Sequence, residues 1–204
     1  MVVEELARRL AREHARFLGW LKERRCIIYA KDRSLGEKAA EYVKRALESM
    51  GFDTEKFTFE IREPKEELLG GDTLIHAWLG RRKMREPALH VYVGPFEGHD
   101  RFGGVIYKKL ASGVPLMGTL VIHQDYIRSE ELNPHILQLI IHELGHVIAG
   151  LQHEHARRLG IMNPVRPKLD ENSKRFFRAY LKELEKIHGT QYLKREKKPW
   201  WKFW

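Results

Sequence analysis

The apolar positions of this chain fall into stretches of alternately helical and strand-like period. Over residues 4–24, Leu6, Leu10, Phe17, Leu18 and Leu21 lie on one side of a heavily charged segment, which predicts one amphipathic helix. That helix reads first as a packing element, with a propeptide-like cover for a cleft as the other role. Residues 26–30 (CIIYA) form a short continuous apolar run of strand type. Residues 34–50 return to a helical period, with Ser34 as cap, Glu37 three residues on and Gly51 as stop. Residues 57–61 (FTFEI) alternate, so the chain begins β-α-β and a parallel crossover is expected. Residues 72–84 follow an Asp72 cap and carry Leu74, Ile75, Trp78 and Leu79, which favours a helix. Residues 89–93 (LHVYV) and 119–127 (TLVIHQDYI) read as strands, separated by a glycine-rich stretch centred on FGGVIY. A last helix starts at Asp170 or Asn172 and runs to His188.

The pattern is sharpest over residues 133–153, NPHILQLIIHELGHVIAGLQH. Asn133 is a good cap, Pro134 suits the first helical position, and Ile136, Leu137, Ile140, Leu144, Val147 and Ile148 recur at helical spacing up to Gly150. Inside this helix His142 and His146 stand four residues apart, one turn above the other on a single face. Two neutral imidazoles so placed can share one metal ion, and Glu143 lies beside them to handle a proton. Downstream come Gly150 and His153 in GLQH, then IMNP at residues 161–164.

HExxH, a glycine, a third histidine three residues later and a methionine shortly after resemble the zinc environment of metzincin peptidases. The resemblance is concentrated in residues 142–164. Here the glycine follows the second histidine by four residues where the metzincin pattern has three, so the helix must end differently to return His153 to the metal. Glu154, His155, and a carboxylate on a later helix such as Glu171 or Glu183, compete with His153 for the third position. In size and element order the chain is similar to archaemetzincins, but it lacks the cysteines of their second zinc site.

The resemblance implies an α/β (α+β) zincin-like fold: a mixed twisted sheet with an antiparallel edge strand, packed on the active-site helix, plus a C-terminal helix. By order along the chain, residues 102–107 take the place of that edge strand, with Gly103, Gly104 and Val105 at the lip of the cleft. It further implies a single catalytic domain over residues 1–204, with an upper lobe at about 25–150, a lower lobe at about 151–190 and a tail at 191–204. One Zn2+ per chain is expected on His142, His146 and His153, with Glu143 as general base and acid, Met162 as an apolar floor, and a peptide or protein as substrate. Pro164 stands where many metzincins carry a tyrosine, so no oxyanion helper is identified.

Composition adds limits. The 204 residues suffice for one well-filled core, and the single cysteine, Cys26, excludes an internal disulfide framework. Cys26 reads as packing within its strand. The N-terminal stretch is charged throughout, unlike a secretory segment, and no stretch suggests a membrane span, so a cytoplasmic location is expected. The net charge of +9 is spread over lysines and arginines interleaved with acids, without a nucleic-acid-binding motif, and reads as a solvated surface. Its rival is a non-catalytic, zinc-stabilised protein that meets nucleic acid or anionic membrane through this surface. The tail KREKKPWWKFW is both basic and aromatic and reads first as packing on the chain's own apolar surface, with a membrane interface or stacking on bases as the other roles. Among the remaining histidines, only His123, with Asp125, stands near enough to the metal helix in the chain to be watched as a cleft lining.

Overall fold

A computed structural model describes residues 2–64, 86–95, 99–102, 105–108 and 111–195. In chain order its elements are α1 (Val3–His14), β1 (Arg25–Tyr29), α2 (Arg33–Ser49), β2 (Thr58–Arg62), β3 (Leu89–Gly94), β4 (His99–Phe102), β5 (Val105–Lys108), β6 (Ala111–Val114), β7 (Thr119–His123), α3 (Pro134–Ala149) and α4 (Glu171–His188). The predicted helix at 72–84, the two glycines Gly103 and Gly104, and the WWKFW end of the tail lie outside the described residues.

Five strands form one sheet in the order β2-β1-β3-β7-β6. β2, β1, β3 and β7 run parallel, and β6 lies antiparallel on β7. β3 and β7 are buried along their whole length, as parallel strands covered on both faces should be. Two of the sequence expectations need correction here. Residues 102–107 are not the edge strand of this sheet: among the described strands β4 and β5 pair with each other in a separate two-stranded sheet. Val105 belongs to that pair, and the strand at the larger sheet's edge is β6. The expected strand at 119–127 ends at His123, where the chain turns through a 3-10 segment, Gln124–Tyr126.

The long N-terminal helix is also shorter than its pattern. It stops at His14 and continues as two 3-10 turns, Ala15–Phe17 and Gly19–Glu23, before Arg24 takes a left-handed conformation at φ 48°. The break buries Leu6, Leu10, Leu18 and Leu21 but leaves Phe17 half exposed under the Arg16 guanidinium. α1 then runs alongside α4 in the same direction. Glu4 meets Arg175 at 2.6 Å, Arg12 meets Glu183 at 2.7 Å, and His188 Nε2 lies 2.9 Å from the Ala15 carbonyl. The Glu4–Arg175 pair is largely exposed and contributes little, about 0–1 kcal/mol, and the Arg12–Glu183 pair mainly offsets the burial of Glu183. The docking rests instead on Leu6, Ala7, Leu10 and Ala11, all buried. α1 is a packing element of the helical layer, not a cover.

α2 is capped by Asp32, two residues before the expected Ser34, and Asp32 accepts from the Ser34 amide at 2.8 Å. Cys26 is fully buried in β1, and burial pushes its thiol well above the usual range, in keeping with a packing role.

Candidate metal centre

α3 starts as its sequence dictates. The Asn133 side chain accepts from the His135 and Ile136 amides, and Pro134 occupies the first turn. Its apolar face enters the core with Ile140, Ile141, Leu144, Val147 and Ile148 fully buried. Gly150 ends it at φ 60°, ψ 21°, and the Leu151 amide reaches back to the Gly145 carbonyl at 3.2 Å. That is a Schellman-type exit, which needs a left-handed residue after the last turn. It answers the extra residue before Gly150, since the reversal swings the chain back under the helix. A Cβ on Gly150 would meet His14 Cε1 at 2.7 Å. Gly150→Ala is therefore expected to lower stability by about 1–2 kcal/mol from the left-handed conformation alone. A urea midpoint equal to that of the wild type would show that this exit does not hold the helix end.

The returning chain places His153 at the start of a short 3-10 turn, His153–Arg157, beside the two helical histidines. The Nε2 atoms of His142 and His153 are 3.2 Å apart, and so are those of His146 and His142. One ligand atom from each of the three residues lies within 4.8 Å of the others, and this is the cluster able to hold a metal ion among the described residues. Two backbone carbonyls orient the rings. His142 Nδ1 lies 2.7 Å from the Ile161 oxygen, and His146 Nδ1 is hydrogen-bonded to the Leu151 oxygen. A carbonyl only accepts, so both Nδ1 atoms carry the proton and both Nε2 atoms present lone pairs.

Two lone pairs facing each other at 3.2 Å repel unless a cation lies between them. Tetrahedral coordination at ~2.0–2.1 Å puts ligand nitrogens about 3.3 Å apart. The donor set thus fits a metal ion in distance, tautomer and chemistry. Burial, followed by the neighbouring imidazoles, pushes His142 down to about 4, and burial also lowers His146. Both are neutral near pH 7, as a ligand must be.

The support beneath the histidines comes from α4. Its cap, Asp170, accepts from the Ser173 amide at 2.8 Å and from the Gly160 amide at 3.1 Å, and Ser173 Oγ accepts from the Ile161 amide at 3.2 Å. The loop whose Ile161 carbonyl orients His142 is thereby pinned. The next residue, Met162, is fully buried, and its Sδ lies 3.2 Å from where a Cβ on Gly145 would stand. Tyr180 donates to the Ile148 carbonyl at 2.9 Å and ties α4 to the end of α3.

Three of the four competitors for the third position, His155, Glu183 and Glu171, are engaged elsewhere. His155 Nδ1 accepts from the Gln152 amide at 2.9 Å, Glu183 pairs with Arg12 and Lys186, and Glu171 pairs with Lys174. His123 is buried at the end of β7 and takes the Asp125 amide at 3.3 Å, which makes this pair part of a local turn.

One contact was not foreseen from the sequence. Glu143, half-buried beside His142, accepts the Gly113 amide of β6 through Oε2 at 2.8 Å. A Cβ on Gly113 would lie 2.6 Å from Val147 Cγ2 and 2.8 Å from the Glu143 carbonyl oxygen, so only glycine lets β6 approach α3 this closely. The Leu116 amide, in the turn after β6, bonds the His146 carbonyl at 3.3 Å. The only sign in the sequence is a glycine in a strand-like context. Comparison of the sequence with protein-family models and with curated proteins finds no match.

Proposed function

We propose that the chain is a zinc-dependent peptidase of metzincin type that hydrolyses peptide bonds at the three-histidine centre. The observation that carries this is the convergence of one ligand nitrogen each from His142, His146 and His153, with a carboxylate, Glu143, on the same helix as the first two and held by the Gly113 amide of the edge strand. Three imidazole nitrogens suit zinc, and a fourth protein ligand, the mark of a closed structural site, is not among the described members of the cluster. Zinc bound there would supply a Lewis acid for a carbonyl oxygen and lower the pKa of water from ~15.7 towards ~7.

The chain's own residues do the rest. His142 and His146 are held in one tautomer by the Ile161 and Leu151 carbonyls, so they need no reorganisation to bind metal. Glu143 accepts a proton from the attacking water and passes it to the leaving amine, and the Gly113 amide holds its carboxylate in place. Met162 and Gly145 pack beneath the centre and keep that side apolar. β6 pairs on one side only among the described strands, so an extended peptide can add along the part of its other side that the Glu143 contact at Gly113 leaves open.

Metal analysis of the purified protein, combined with cleavage of a mixed peptide library with and without chelator, tests this reading. Chelator-sensitive cleavage by a protein holding about one zinc supports it, and a zinc-loaded protein that cleaves nothing overturns it. The ligand set is checked separately. His153→Ala is expected to lower zinc content strongly and His155→Ala to leave it unchanged. The opposite pattern would move the third ligand to His155.

A further inference from the structure

The chain between Leu151 and Leu169 wraps the open side of the metal centre. His142 and His146 are buried whereas His153 is exposed, so the three nitrogens are reached from the side that His153 occupies. This stretch is fixed to α3 at several points. The Leu151 and Ile161 carbonyls bond His146 and His142, and the Leu169 amide donates to Gln138 Oε1 at 2.7 Å. The stretch also closes on itself, through the Lys168 amide on the Gly160 carbonyl at 3.1 Å.

Its charge is one-sided. Residues 151–168 contain Arg157, Arg158, Arg166 and Lys168 against a single acid, Glu154. All five are exposed, and none makes an ion pair among the described residues. The acids that follow are committed elsewhere, Asp170 to the Gly160 and Ser173 amides and Glu171 to Lys174. The cations also stay near the centre. Arg157 closes the 3-10 turn that His153 begins, which places it about 8 Å along at ~2 Å per residue. Arg166 stands on a fixed turn just after Met162, where Asn163 Oδ1 accepts the Val165 and Arg166 amides at 2.9 and 3.0 Å. Charges on this scale act within about one Debye length, ~8 Å at physiological ionic strength. A rim of one sign raises the local concentration of ligands of the other.

On the peptidase reading of this centre, we infer that its substrates are acidic peptides, selected by Arg157, Arg158, Arg166 and Lys168. Single-stranded nucleic acid is the other anionic chain, but it is held by stacking bases on aromatic rings. No Phe, Tyr or Trp occurs between Leu151 and Leu169. What shares the centre with these cations is the edge strand β6, docked on α3 through the Gly113 amide. Strand addition engages a peptide's main chain, and the cations then discriminate among its side chains.

The experiment measures fluorescence anisotropy of three labelled peptides of one length, carrying glutamates, lysines or neither at the same positions. The protein is the full chain, zinc-loaded and carrying Glu143→Gln so that peptide is held without turnover. The acidic peptide should bind at least about 10-fold more tightly than the lysine peptide, and the ratio should shrink as salt rises. Arg157→Glu combined with Arg166→Glu should reduce that ratio at least about fivefold, at unchanged melting temperature and zinc content. The same reversal at Arg8 and Lys44, exposed cations of α1 and α2, should leave the ratio as it was. An equal loss from that control would assign the preference to overall charge and overturn the inference. Equal binding of the three peptides would overturn it too, as would tighter binding of a single-stranded oligonucleotide of equal charge. Cleavage of the same peptides by wild type separates the two readings. Acidic peptides bound but none cleaved would refute the peptidase and leave the basic rim as a peptide-binding site. Cleavage indifferent to charge would refute the selection and leave the peptidase.

Discussion

His142→Ala is expected to abolish metal binding and to weaken the fold at the same stroke. His142 is almost fully buried, and its Nδ1–H satisfies the Ile161 carbonyl at 2.7 Å. Alanine removes one of three convergent nitrogens and leaves that carbonyl without its donor, at a cost of about 1–3 kcal/mol before any contribution from the metal. In wild type, added zinc should raise the melting temperature, because a ligand that binds only the folded state stabilises it. In the variant it should not. A His142→Ala protein that still holds about one zinc per chain would remove this residue from the ligand set.

The same ring sets a pH dependence for the metal-free protein. The unfolded chain protonates its histidines near 6.5, whereas the folded chain withholds a proton from His142 until about 4. Between those values the unfolded state binds more protons, so stability falls as pH drops. The contribution is complete above pH ~6.5 and is lost as pH falls through about 4, on the order of 3 kcal/mol for His142, with His146 acting in the same direction. Urea midpoints of the metal-free protein at several pH values should show this slope, and it should flatten in His142→Ala. A midpoint that is level from pH 7 to pH 4 in the wild type would contradict the burial argument.

Local signals carried much of this fold. Asn133 with Pro134, Asp170, Gly51 and Gly150 act on their own neighbours, so the bounds of α3 and α4 could be read almost to the residue. The edge of the sheet could not be read, because strand order depends on partners distant in sequence. FGGVIY and ASGV are equally strand-like, and only the pairing of β6 with β7 separates them. The N-terminal helix failed for a related reason. Its apolar spacing is satisfied equally well by a helix followed by 3-10 turns, and docking against α4 selects the broken form. The histidines stood out because the chemistry needs fixed residue types at fixed spacing. The groups that aim them are main-chain atoms, the Ile161 and Leu151 carbonyls and the Gly113 amide, and these carry no residue signature.

Glu143→Gln is expected to keep the fold and the metal while losing peptide cleavage by ~10²-fold or more, the scale on which general acid–base groups act. The argument turns on the Gly113 contact. A glutamine side-chain oxygen can accept the same amide hydrogen at 2.8 Å, so β6 stays docked on α3 and the sheet edge is undisturbed. The three nitrogens that hold the ion do not involve this side chain, so zinc content should match the wild type. What the amide cannot do is accept a proton at neutral pH. Glu143→Ala separates the two roles of the residue. It also loses activity, and it further strands the Gly113 amide in the narrow gap beneath Val147, which should cost about 1–3 kcal/mol that Glu143→Gln does not. Zinc content, denaturation midpoint and turnover on a common peptide, measured for the wild type and both variants, give the test. Cleavage by Glu143→Gln at the wild-type rate would remove Glu143 as the proton acceptor, and equal stability of the two variants would remove the Gly113 contact as its anchor.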